Sequence, residues 1–514
     1  MIFTNGKNNL CMNKARHIPL LLTLLLMIGW TAAAQPFDRI ERRNFWNSGR
    51  NINGLRCDSL TISDARIYGG YESGGLRDTY MASSAWNVGA IARTIVHLKK
   101  FSMNGMFSFE NNSGKQMTGS MSGRPGRFPV EIIEFTPGNK NRQTYSFSGG
   151  ITADIAENWR IGGKIDFTSE NYTKRKDLRH TNYILDLSVA PGLLYHHGDF
   201  SAGLNYIFSK SAETISAEVL GVSSGSYYAF IDKGLMYGVY DIWDNDGIHL
   251  KESGVNGFPT RELSNGAAAQ IQWKGLYAEL EYTHSSGKSG EKQTVWFRFP
   301  SDNIAARAGF KAEKDNTGHY LRAEAVWKNL SNYESVLRQD TDNGVTITEV
   351  YGENRILKSK SFTVNTEYEI VAKNWEFCAG AGFDGIQTLA SPVFPFIYYR
   401  KTFTGEGYAG AMVKLGNFDL RGLISYRQGK WSDTTSSAKN DTEVSGEPYR
   451  LAEFDAKHME YLTAGRISAS LSLRFNFKNG IYIEASGKYR RGIDIEFLNG
   501  KDRWYSGLST GYTF

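Results

Sequence analysis

The chain has 514 residues, 22% charged and 13% aromatic, with three cysteines and a net charge of +6. Loss of the N-terminal bases Lys7, Lys14 and Arg16 leaves about +3, which excludes nucleic acid as the expected ligand. Cysteines this sparse make no disulfide scaffold, and no Cys/His cluster has zinc spacing, so no metal or other cofactor is expected.

Residues 1–34 read as a secretory signal. Lys14 and Arg16 supply positive charge, Leu20 to Trp30 an apolar run, and Ala32-Ala33-Ala34 a small-residue cleavage site before Gln35. The apolar run is short for a spanning helix, and no second one follows. Residues 35–62 differ from the rest. Phe37, Ile40, Glu41 and Phe45 suit a short amphipathic helix, followed by Asn51-Ile52-Asn53-Gly54-Leu55. This stretch is expected to be a periplasmic or plug segment, with Trp46, Asn51, Asn53, Gly54 and Leu55 as its candidate residues.

Residues 63–514 alternate with a period of two. Trp159, Ile161, Ile165 and Phe167 interleave with Arg160, Gly162, Lys164 and Asp166; Ile467, Leu471, Leu473 and Phe475 interleave with Ser468, Ser472 and Arg474. Short turns recur at Lys99-Lys100, Glu157-Asn158, His197-Gly198, Lys274-Gly275, Asp315-Asn316, Lys373-Asn374, Gly416-Asn417 and Asn479-Gly480. Long connections are expected over 112–142, 214–262, 329–357, 387–402 and 429–461. Short turns on one rim, long loops on the other and aromatics beside the short turns (Trp159, Tyr195, Trp273, Trp375, Phe418, Phe477) are the outer-membrane barrel pattern. The expected fold is all-β: a transmembrane antiparallel β-barrel of about eighteen strands, sixteen being the alternative, in the outer membrane of a Gram-negative cell. The closing strand presents Trp504, Leu508, Tyr512 and Phe514 on one side, resembling the C-terminal signal that such barrels show to their assembly machinery.

Alternation places Arg160, Lys164, Asp166, Glu279, Glu281, Arg322, Glu324, Arg421, Arg474, Glu484, Lys488 and Arg490 on the inward face as candidate lumen lining. Glu279 and Glu281 are expected to balance cations such as Arg322 and Lys164. The 214–262 loop holds Tyr227, Tyr228, Phe230, Tyr237, Tyr240 and Trp243, a candidate surface for a ligand or a partner. Gly221-Val222-Ser223-Ser224-Gly225 matches a nucleophile elbow in letters only, since it lacks the strand-to-helix turn that exposes the serine. No catalytic set can be assembled, and no enzyme is expected.

The Asn51–Leu55 opening, Trp159-Arg160-Ile161-Gly162-Gly163-Lys164, Lys176-Asp177-Leu178-Arg179 and Pro191-Gly192-Leu193-Leu194-Tyr195 resemble an uncharacterised family of Bacteroidota outer-membrane barrels. The opening also resembles, distantly, the plug signature of fatty-acid-channel-like and type IX secretion barrels, with Ile52-Asn53 where that signature has Pro-Ala. The resemblance implies a barrel embedded in lipid. Two functions stay open: a pore or channel for a small solute, open or plugged, and a barrel that anchors a surface or secretion complex through its long loops.

Overall fold

The computed structural model describes residues 37, 43–57, 61–218, 229–233, 240–243, 255–290, 295–342, 345–391, 397–435 and 451–514. Strands follow one another as β1 (Ile62–Gly74), β2 (Ser84–His97), β3 (Phe101–Ser120), β4 (Glu131–Ala156), β5 (Trp159–Lys174), β6 (Arg179–His197) and β7 (Phe200–Glu218). Two four-residue strands come next, β8 (Ala229–Asp232) and β9 (Tyr240–Trp243). The series resumes with β10 (Val255–Trp273), β11 (Leu276–Gly290), β12 (Val295–Lys314), β13 (Thr317–Asp342), β14 (Val345–Val371), β15 (Trp375–Ala390), β16 (Tyr398–Leu415) and β17 (Phe418–Thr435). Helix α1 (Leu451–Thr463) precedes β18 (Arg466–Asn476), β19 (Ile481–Gly492) and β20 (Asp502–Thr513).

Every long strand pairs antiparallel with its neighbours in the chain, β7 pairs directly with β10, and β1 pairs with β20. β8 pairs only with the first residues of β4 and with β9, outside the closed run, so the sheet closes into an eighteen-stranded barrel. Among the described residues no strand of the eighteen-stranded wall has an unpaired edge, the condition for crossing lipid with strands. No described helix is long and apolar enough to cross a membrane.

The strand faces follow the alternation. β11 exposes every second residue over most of its length, and the outward ones include Leu276, Leu280 and Tyr282. Ile424 and Leu508 are more than 60% exposed, and comparable aliphatics ring the whole outer wall. A contiguous apolar belt of this extent is too large for water-facing surface and suits lipid. Trp159, Trp273, Trp375 and Phe418 lie outward beside the short turns, where interfacial rings belong. The barrel is thus an outer-membrane one.

All eight expected short turns lie between consecutive strands on one rim. The opposite rim departs from expectation in several places. Of 112–142 only 121–130 lies between strands, because β3 runs to Ser120 and β4 starts at Glu131, and the end of 214–262 belongs to β10, which starts at Val255. The 329–357 stretch is not a loop: β13 and β14 pair from Ser331 to Asp342, extending the hairpin above the wall. Within 429–461, β17 continues to Thr435 and the chain later turns into α1. In the β13–β14 extension and the α1 stretch the polar composition is that of strand or helix bathed in water on more than one side.

Candidate functional site

The interior is built from both ends. At the short-turn end, residues 43–57 run along the inner wall, with 3-10 turns at Phe45–Ser48 and Ile52–Cys57. Arg43 reaches Glu376 (3.0 Å) and lies over the Tyr320 ring. Trp46 is buried edge-on against Tyr277, its indole N–H donating to Gln272. The Asn51 amide donates to Gln270 Oε1 (3.0 Å) and to the Leu193 carbonyl (3.2 Å). The Asn53 amide group donates to Asn51 Oδ1 (2.9 Å) and accepts from Thr152 Oγ1 (2.7 Å). Arg56 pairs with Asp154 (2.7 Å). Leu55 and Ile52 pack with Phe37, Ile62 and Ile95. The segment therefore touches the wall from β15 round to β3.

Small residues make room for it. A Cβ on Gly203 would stand 2.7 Å from Asn51 Nδ2, and one on Gly192 would stand 2.9 Å from Asn51 Oδ1. Gly162 and Gly150 are equally tight against Asn53 and Ile52, so Gly162 and Gly192, one from each wall motif, lie where the backbone must approach the segment. Gly54 likewise has the Trp46 ring where a side chain would go.

At the opposite rim, the 121–130 connection folds into the mouth. Ser122 Oγ (2.6 Å) and the Gly123 N–H (2.8 Å) donate to Glu213. Arg124 pairs with Glu170 and Asp186, and Arg127 donates to Ser211 Oγ (3.1 Å). β8 adds to β4, pairing Ile132 with Ile231. Beneath this lies an apolar core of Met121, Val130, Ile132, Ile215, Ile231, Trp296, Phe297, Leu330, Leu357 and Ala390, which spans the mouth from β7 to β15. Helix α1 is fastened to the same cap. Arg400 pairs with Asp455 (2.7 Å), His458 meets Asp78 (2.7 Å), and Phe454 packs on Phe135. Glu460 accepts three backbone N–H bonds from Glu496, Phe497 and Leu498 (2.6–2.8 Å).

Between the two closures lies a cavity of about 380 Å³. Arg50 of the N-terminal segment, Arg127 of the mouth and Lys328 of β13 line it, together with inward serines, threonines and carboxylates of β5 to β12. Its size falls within the roughly 300–1,000 Å³ of small-molecule sites. A second cavity of about 410 Å³ lies on the other side of the mouth connection, against β13–β16 and α1, and shares Arg127 and Lys328.

The candidate lining residues divide into groups. Arg160 pairs with Asp154 (3.3 Å) and Lys164 with Asp166 (3.6 Å). Glu279, Glu281 and Glu324 converge on Arg307, not on Arg322 or Lys164; Arg322 instead pairs with Glu367 (3.2 Å) and Glu369 (2.9 Å). Arg307 follows the inward parity of β12 between Ala305 and Gly309, where Ala306 and Ala308 as its outward neighbours weaken the apolar alternation along the chain. Arg421, Arg474 and Glu484 line a small cavity of about 80 Å³ near Phe37 and Asp64. Arg490 pairs with Glu72 (3.3 Å) and shares its strand face with Lys488. Of the aromatic-loop candidates, Phe230 is buried against Phe135. Tyr227, Tyr228 and Tyr237 lie outside the described residues, and Tyr240 and Trp243 are described only as β9 backbone. Trp504, Leu508 and Phe514 face outward, and Tyr512 stacks on Phe514. No group of three or more potential metal ligands occurs among the described residues.

No curated protein matches the chain. Among solved structures, it is similar to the FrpB iron transporter from Neisseria meningitidis (F3-3 variant), at 11% identity and a TM-score of 0.41, over 90% of this chain and 83% of that one. It is similar also to P. aeruginosa FpvA bound to heterologous pyoverdines, at 9% and 0.40, over 88% and 72%. BauA, the ferric preacinetobactin receptor from Acinetobacter baumannii, matches at 7% and 0.38, over 88% and 80%. Neither these likenesses nor the family match carries a signal specific to Bacteroidota or to type IX secretion barrels. The family model matches residues 57–514, from the end of the lumen segment through the closing strand, and on that match the chain belongs to the Family of unknown function (DUF6850).

Proposed function

We propose that this barrel is a solute transporter whose channel is closed at rest and opens by displacement of its internal segments. The observation that supports the reading is a polar cavity held between two inward-folded closures, residues 43–57 at one end and 121–130 with β8 at the other. A barrel of eighteen strands is wide enough for water unless something fills it, and filling it from both ends serves control of passage. In this reading residues 35–62 act as a plug, residues 1–34 direct export, and the C-terminal strand addresses the assembly machinery. The test is conductance in planar bilayers of four proteins: native, lacking residues 37–57, with 121–130 replaced by a short linker, and with both changes. The reading predicts a silent native protein and steady conductance only when both closures are gone. Silence of the double variant, folded by heat-shifted gel mobility, would overturn it.

A second reading, an anchor for a surface or secretion complex, has one observation in its favour. The β13–β14 hairpin rises above the wall with Val336, Val350 and Tyr351 exposed. A stoichiometric partner recovered from native membranes with intact protein, and lost when residues 335–351 are deleted, would favour it over transport.

A further inference from the structure

The wall of the 380 Å³ cavity carries a pattern that barrel closure does not require. Ser148 pairs in register with Asp166, Asp166 with Ser188, Ser188 with Ser209, Ser209 with Ser264, Ser264 with Ser285, and Ser285 with Ser301. One level of seven adjacent strands, β4 to β7 and β10 to β12, thus presents short polar side chains. Serine is a weak strand former, so a row of them is not a product of strand propensity. Some bond to one another: Ser209 donates to Ser188 (3.0 Å), and Ser264 and Ser285 are 2.7 Å apart. Each hydroxyl offers one donor and two acceptor sites, so most of that capacity is left over for the cavity. Ser188 accepts from both Ser209 and Arg50 (2.7 Å), which leaves its own proton for a ligand.

Two cations bracket this belt. Arg50, from the N-terminal segment, bonds to Ser188 Oγ and has no carboxylate partner among the described residues. Lys328 reaches the cavity from β13, beside Asn303 in register, and makes no ion pair within 4 Å among the described residues. The cavity's carboxylates are occupied. Asp186 is held by Arg124, Glu281 by Arg307 (3.0 Å), Asp166 by Ser148 (2.5 Å) and Lys164, and Glu262 lies 3.8 Å from Arg127. Both cations are half-buried; among the described residues Arg50 bonds only to a hydroxyl and Lys328 has Glu262 near it without an ion pair, so an anion between Arg50 and Lys328 would give each a close charged partner. An apolar ligand would strand the hydroxyls, and a bare inorganic anion would leave most of them unused.

We infer that the cavity binds a small polyhydroxylated carboxylate, of the sugar-acid class, with its hydroxyls on the serine belt and its carboxylate between Arg50 and Lys328. The inference rests on the transporter reading and deepens it. Because Arg50 belongs to one closure and Arg127 to the other and both line the cavity, the ligand would lie between the two closures, taking the Ser188 proton while Arg50 stays bonded to Ser188 Oγ.

Equilibrium dialysis of the purified full-length barrel against D-glucuronate, D-glucose and inorganic phosphate tests it. Glucuronate should bind at least tenfold more tightly than either of the others. Arg50→Gln and Lys328→Gln should each weaken it at least tenfold while leaving glucose unchanged, and Ser188→Ala and Ser264→Ala should weaken glucuronate and glucose alike. The series is repeated in Glu213→Gln, which loosens the mouth without altering the belt, so that a sealed entrance is not mistaken for an absent site. Equal binding of glucose and glucuronate would overturn the anionic part. Phosphate binding as tightly as glucuronate would overturn the polyol part. No binding in either background would overturn the inference outright. Conductance of the barrel with both closures removed needs no ligand, so failure of the transporter reading registers separately.

Discussion

Replacing Trp46 by Ala should free the N-terminal segment while sparing the barrel. Trp46 is 3% exposed, sits edge-on to Tyr277 with ring centroids 5.4 Å apart, and donates its indole N–H to Gln272. Truncating a buried tryptophan costs about 3–5 kcal/mol. Water can refill the space in a polar lumen, so the low end, about 3 kcal/mol, is the expected loss. At 1.4 kcal/mol per tenfold, the undocked population should rise about 100-fold. None of the lost contacts joins one strand to another, so barrel stability should stay within about 0.5 kcal/mol of the native value. Hydrogen exchange read by mass spectrometry over residues 43–57 measures docking, and heat-shifted gel mobility measures the barrel. Unchanged exchange in Trp46→Ala would show that the ring does not hold the segment. A parallel fall in barrel stability would show that segment and wall form one cooperative unit.

Other expectations follow from the cap. Glu213→Gln should weaken the bonds that Ser122 and Gly123 make to a charged acceptor, at a cost of about 2 kcal/mol, and raise exchange over 121–130 roughly 30-fold; native-like protection there would place the anchor elsewhere. Burial alone would depress the pKa of His458, in α1 and outside the membrane, but the Asp78 carboxylate outweighs it and holds the group above its ordinary 6.5. A raised folded pKa stabilises fully below 6.5 and is lost as pH rises through the folded value. Exchange over 451–463, corrected for its intrinsic pH dependence, should therefore increase from pH 6 to pH 9 in the native protein and stay level in His458→Gln. The same rise in both would remove this pair as the cause.

Much of the barrel was legible because lipid imposes a strict rule. Every second residue of a spanning strand must be apolar, and turns at the short rim use Lys, Asn, Asp and Gly, so the turn positions could be read directly and the strand number to about eighteen, with sixteen still open. Above the membrane the rule lapses. The β13–β14 extension has water around it, so Ser331 to Val350 carries no sustained apolar face, only the short Val345-Thr346-Ile347-Thr348 alternation, and reads as a loop. The site was legible only in part for a different reason. Inward parity identified Glu279 and Glu281, but their partner Arg307 is set by the pairing of β11 with β12 across a sequence gap. The serine belt is invisible along the chain, because each strand contributes a single residue to it and only register aligns them. Gly162 and Gly192 stood out as motif letters; the side chains of Asn53 and Asn51 that fill their space lie more than 100 residues away in sequence.

In the transporter reading two closures, not one, keep the path shut. Single-channel conductance of the native barrel, the two single deletions and the double deletion tests it most directly. Silence is expected of the native barrel, no steady conductance of either single deletion, and a stable, ohmic pore of the double deletion. Steady conductance of the native barrel, or of either single deletion at the level of the double, would contradict it.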